Sequence, residues 1–123
     1  MNPKQQAILA AQAASSKKAT DIVILEVGPI IDITDYFVIC SGSNDPQVSA
    51  IVDEVSRRMR TQSGVTGRTE GQRDKRWVLI DFIDVVVHVF NDQDREFYEL
   101  ERLWKDAARV QFDVEDELAA GEG

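Results

Sequence analysis

After Arg76 the chain reads WVLIDFIDVVVHVF to Phe90, an apolar run broken only by Asp81, Asp84 and His88. Tryptophan, isoleucine, valine and phenylalanine favour a pleated, largely buried surface over a helix. The run is too long for one strand, and two carboxylates are costly to bury unpaired, so Asp81 and Asp84 mark the turn of a hairpin. Behind it, Phe97, Leu100, Leu103, Trp104 and Ala107 recur at three- and four-residue spacing, which predicts a covering helix over Asp92–Ala108.

The preceding chain alternates in the same way. Pro3–Lys18, rich in alanine and glutamine, predicts a first helix that buries Ile8, Leu9 and several alanines. Asp21–Val27 is nearly continuously apolar and reads as a central strand stopped by Gly28-Pro29. Ile30–Thr34 is a short connection, and Asp35–Ser41 is the next strand, antiparallel to the first. Asp45 as cap and Pro46 as first helical residue open a helix to Arg60. Its stripe is Val48, Ile51, Val52, Val55 and Met59, with Asp53, Glu54, Arg57 and Arg58 facing water. Gln62–Lys75 is mostly loop, with one short edge strand near Val65–Glu70. From Phe112 onward acidic and small residues prevail, so residues 1–110 form one domain and 111–123 an acidic, disordered tail. The fold class expected is α/β, a mixed sheet with helices packed against it.

Bulk properties narrow the function. With 43% hydrophobic and 29% charged residues the composition is that of an ordinary globular domain, and no apolar run approaches the ~20 residues of a membrane span. A formal charge of -8 disfavours direct binding to a polyphosphate backbone and favours a basic protein partner. The single cysteine and single histidine leave no disulfide and too few ligands for a zinc site, so no cofactor is expected. A reducing cytoplasm fits best, and the N-terminus carries no secretory or import signature.

Few residues invite chemistry. Gly42-Ser43, between a strand and a helix, resembles the opening of a nucleotidyltransferase site, where a small loop lets phosphates approach the backbone. Such an enzyme needs a carboxylate set for magnesium, yet Asp53 and Glu54 fall on a helix and Asp81 and Asp84 flank a turn. A structural turn is the better reading. Cys40 lies in an apolar strand with no histidine partner in view, and His88 projects opposite to Val87 and Val89 as a packing residue. Trp77 beside the charged run Arg73–Arg76, and Tyr98 at the margin of the helical stripe, suit either core packing or interface anchoring.

Three blocks, DYFVICSGS at Asp35–Ser43, WVLIDFIDVVVHVF at Trp77–Phe90 and FYELERLWKDA at Phe97–Ala107, make the chain similar to the ribosomal silencing factor family, also called Iojap. The resemblance spans about Asp21–Ala107 in matching order and spacing. It implies a nucleotidyltransferase-like fold without catalysis. It further implies a translational repressor that binds the large ribosomal subunit through its ribosomal protein fourteen and sterically blocks subunit joining when nutrients are scarce. A homodimer when free is also implied. The family's contact residues fall here on Trp77, Phe82 and Tyr98, with Asp81 and Asp84 holding the turn or meeting basic residues of the partner. Two positions depart from the family's pattern: Ile83 stands where glycine is common, and Phe82 where a smaller aliphatic residue is frequent.

Overall fold

The computed structural model describes residues 1–92, Leu100 and residues 105–114. Its elements are α1 (Pro3–Ser16), β1 (Thr20–Glu26), β2 (Tyr36–Gly42), α2 (Asp45–Arg58), β3 (Arg68–Glu70), β4 (Trp77–Asp81), β5 (Val85–Asn91) and β6 (Ala108–Arg109). A single turn of π-helix, Met59–Ser63, prolongs α2. The six strands form one mixed sheet in the order β3-β4-β5-β2-β1-β6. β1 and β2 pair antiparallel, as do β4 and β5, whereas β2 and β5 run parallel.

The two-residue period of the strands divides the side chains between two cores. On one face Val38 and Cys40 of β2, Val78 and Ile80 of β4, and Val85, Val87 and Val89 of β5 meet α1 and α2. The alanines of α1 at positions 7, 10, 11, 13 and 14 are fully buried, and their small side chains let the helix lie close to the sheet and to α2. The stripe Val48, Ile51, Val52, Val55 and Met59 of α2 is buried as its spacing predicts. On the opposite face Leu25, Val27, Phe37, Ile39 and Phe90 form a second core with Leu100 and Ala107.

Several expectations are corrected. The cap of α2 is Asn44, not Asp45: Asn44 has extended backbone and its side chain accepts from the Gln47 amide at 2.9 Å. Glu54 and Arg58 do not simply face water. The Glu54 carboxylate accepts from Arg57 at 2.8 Å and from Arg58 at 2.6 Å, and Arg58 is buried. β1 is not central, since only the two-residue β6 lies outside it; β5 and β2 hold the middle. The last residues expected in the helix over Asp92–Ala108 are not helical. Lys105 and Asp106 form a turn, and Ala108–Arg109 pair with β1. Beyond the expected domain end, Phe112 still packs on the first core and the Asp113 carbonyl accepts from Gln12 Nε2 at 2.9 Å, because an aromatic ring next to α1 finds apolar surface to cover. Of the helical stripe over Asp92–Ala108, Phe97, Leu103 and Trp104 lie outside the described residues, as do positions 115–123 of the expected tail.

Candidate functional site

The hairpin β4–β5 ends in a tight turn made by Phe82, Ile83 and Asp84. The Phe82 amide donates to the Val85 carbonyl at 2.8 Å, closing the ladder, and the Asp84 amide donates to the Phe82 carbonyl at 3.0 Å. That second bond spans three residues, so the central one, Ile83, sits in a γ-turn with φ of 77°. A β-branched residue rarely occupies this region, because its Cβ crowds the backbone. The Asp81 side chain steadies the strained residue by accepting from the Ile83 amide at 2.8 Å. Ile83 itself is 75% exposed.

Phe82 faces the other way. It is 2% exposed and belongs to the helix-side core. Its ring lies under Gly67, where an added Cβ would come within 2.7 Å of it. Phe82 is therefore not an accessible contact residue, and the apolar side chain that the turn exposes is Ile83.

Asp81 and Asp84 are both exposed. Asp81 holds the turn through the bond just described. Asp84 acts through its backbone: its carbonyl accepts from the amides of Asp35 at 3.0 Å and Tyr36 at 3.1 Å, tying the turn to the start of β2.

Trp77 lies on the second face at the other end of β4, paired with Phe90 across the ladder. Its indole stacks on the Phe90 ring at 5.2 Å between centroids, and Nε1–H donates to His88 Nδ1 at 3.0 Å. His88 also meets the Phe37 ring edge-on at 4.6 Å. Burial, with the histidine 3% exposed, pushes its pKa down to about 4, so the ring is neutral. Trp77 is only half-buried. Two buried rings and a hydrogen bond thus fix the orientation of an indole that remains open to solvent, an arrangement suited to an interface anchor. Tyr98 lies outside the described residues.

The alternative chemical constellation is not assembled. Gly42 pairs with Asn91, whereas Asp81 lies beside Val86 and hence level with Phe37, so Gly42-Ser43 and the two carboxylates sit at opposite ends of the strands. Five residues of strand separate them, about 17 Å at ~3.3 Å per residue. The Ser43 amide and hydroxyl both donate to Gln47 Oε1, at 2.6 and 2.7 Å, and a Cβ on Gly42 would lie 3.0 Å from Val48. The loop is used to pack α2 on the sheet. Cys40 is buried in the helix-side core. Among the described residues no three histidine, cysteine or acidic side chains are grouped as metal ligands, and no helix is long and apolar enough to cross a membrane.

The model of a family described as "Ribosomal silencing factor during starvation" matches residues 1–122. The chain is 42% identical over 113 residues to the ribosomal silencing factor RsfS of Bacillus subtilis, covering 92% of this chain and 96% of that one. It is 34% identical over 91 residues to a mouse protein named for mitochondrial assembly of the ribosomal large subunit, covering 72% of this chain and 40% of the mouse protein. A crystal structure of a Chromobacterium violaceum protein superposes with a TM-score of 0.81 at 30% identity, covering 93% of this chain and 94% of the other. With a match over nearly its whole length, the chain belongs to the RsfS, or Iojap, family of ribosomal silencing factors.

Proposed function

We propose that this protein is a nonenzymatic translational repressor. It binds the large ribosomal subunit through that subunit's ribosomal protein fourteen and, by occupying the intersubunit surface, blocks joining of the small subunit when nutrients are limiting. The observation that carries this reading is the half-exposed Trp77, oriented by His88 and Phe90, on the hairpin whose tip presents Ile83. A half-exposed aromatic whose orientation is already fixed is what a protein interface uses as an anchor, because little side-chain entropy is lost on docking. Tyr98 completes the anchor set by family resemblance. The charge of -8 supports a basic protein partner, since complementary fields speed and orient association. The name of the mouse relative supports the large subunit as the target. The seat of action is the cytoplasm, and the free protein is a homodimer.

Co-sedimentation with separated large and small subunits, followed by a subunit-joining assay, tests the reading. Selective binding to large subunits and fewer joined particles are expected. Trp77→Ala should retain its fold and lose about 2 kcal/mol of binding, roughly thirtyfold in affinity. Equal binding of wild type and Trp77→Ala would remove the anchor, and no binding to large subunits would remove the function. Sedimentation velocity of the free protein tests the homodimer: a monomer at all concentrations would refute it.

A further inference from the structure

Among the described residues outside the hairpin, the most exposed large apolar side chain is Ile33, which is 83% exposed in the connection between β1 and β2. A single exposed isoleucine is ordinary and carries no argument. Ile33 differs because of where the fold puts it. The parallel pairing of β2 with β5 brings the connection alongside the β4–β5 turn, and the Asp84 carbonyl accepts from both Asp35 and Tyr36. Two apolar tips, Ile33 and Ile83, are therefore displayed on neighbouring loops at one end of the sheet.

Neither loop is loosely held. The amides of Val27 and Gly28 both donate to the Asp35 carbonyl, at 2.9 and 3.0 Å, and those of Ile30 and Ile31 to the Val27 carbonyl, at 2.9 and 2.8 Å. Thr34, next to Ile33, is 6% exposed, so the connection is pinned from below while Ile33 points out. The charge around the tips is mainly acidic, with Arg68 across the ladder from Asp81 and Lys4 lining one cavity with Asp35. Asp32, Asp35, Asp81 and Asp84 are all exposed, and neither residues 27–36 nor residues 81–85 contain a lysine or arginine.

We infer that Ile33 and Ile83, framed by Asp32, Asp35, Asp81 and Asp84, form a second docking surface, which fits a protein patch with an apolar recess rimmed by lysine and arginine. The inference rests on the ribosomal reading above and extends its contact from β4 and the hairpin onto the β1–β2 connection. The isoleucines supply apolar burial, and the four carboxylates supply orientation and discrimination against acidic surfaces. Preformed loops limit the entropy lost on docking.

The test is co-sedimentation of full-length protein with isolated large subunits across a salt series, for wild type, Ile33→Ser, the double variant Asp32→Asn/Asp84→Asn, and Trp77→Ala. Thermal melts of Ile33→Ser should match wild type, since the side chain is exposed. The inference expects Ile33→Ser to lower affinity at least fivefold, and the double variant to bind more weakly at low salt with a shallower salt dependence. Wild-type binding with Ile33→Ser and the double variant within twofold of it would overturn this inference alone and leave the ribosomal reading standing. Failure of wild type to bind large subunits would overturn both.

Discussion

His88 makes the sheet acid-sensitive in a window that belongs to no other described group with a shifted pKa. Its ring is 3% exposed between Phe37 and Phe90, and Nδ1 accepts the Trp77 indole proton at 3.0 Å, so the neutral ring carries its own proton on Nε2. Burial disfavours the charged ring, and the folded pKa falls to about 4. In the unfolded chain the same ring titrates near 6.5. Between those values the unfolded state binds more protons than the folded state, so stability is full above pH ~6.5 and drains as pH falls toward 4. At pH 5 the difference is about 1.5 pH-equivalents at 1.36 kcal/mol each, or about 2 kcal/mol lost relative to pH 7.5. Glu54 does not contaminate the measurement. Hydrogen bonding to Arg57 and Arg58 holds its carboxyl down at about 2, so its own contribution is lost as pH falls from about 4.5 toward 2, below the lowest pH measured. Urea unfolding at pH 7.5, 6 and 5 and constant ionic strength reads the effect, with His88→Leu as the control that keeps bulk and cannot titrate. Wild type should lose about 2 kcal/mol and His88→Leu almost nothing over this range. An equal loss in both proteins, or none in wild type, would refute the argument.

Two further substitutions test the hairpin. Phe82→Ala should cost about 3–5 kcal/mol of folding stability, because it empties a buried site under Gly67; a denaturation midpoint equal to wild type would mean that the ring is not in the core. Gly71→Ala should also destabilise, by at least about 1 kcal/mol, since Gly71 has φ of 85° and an added Cβ would lie 2.2 Å from the Trp77 carbonyl oxygen. An unchanged thermal midpoint would contradict it. The Gly71 variant should lose ribosome binding as well, as the same backbone carries the indole.

How much of this was legible in the sequence is clearest along the hairpin itself. Even-numbered positions of β4, Val78 and Ile80, and odd-numbered positions of β5, Val85, Val87 and Val89, share the helix-side core. Strict alternation carries the first series on to Phe82, which should therefore be buried, and it is. Placing Phe82 among the contact residues followed the family's pattern in preference to this parity. The turn then has to convert an even series into an odd one across Phe82, Ile83 and Asp84. The positive φ of Ile83 makes that reversal, at the position where the family's pattern has glycine. Nothing in the hydrophobic pattern signals β6, because two residues show no period, or the neighbourhood of Ile33 and Ile83, because it depends on the parallel pairing of strands distant in sequence. Local periodicity thus revealed the two faces of the sheet, and pairing between distant strands decided what stands at its end. A strained isoleucine costs about 1–3 kcal/mol that glycine would largely avoid. Ile83 stands on an exposed tip, held by Asp81 and neighboured by Ile33, and this placement is what the inferred docking surface draws on.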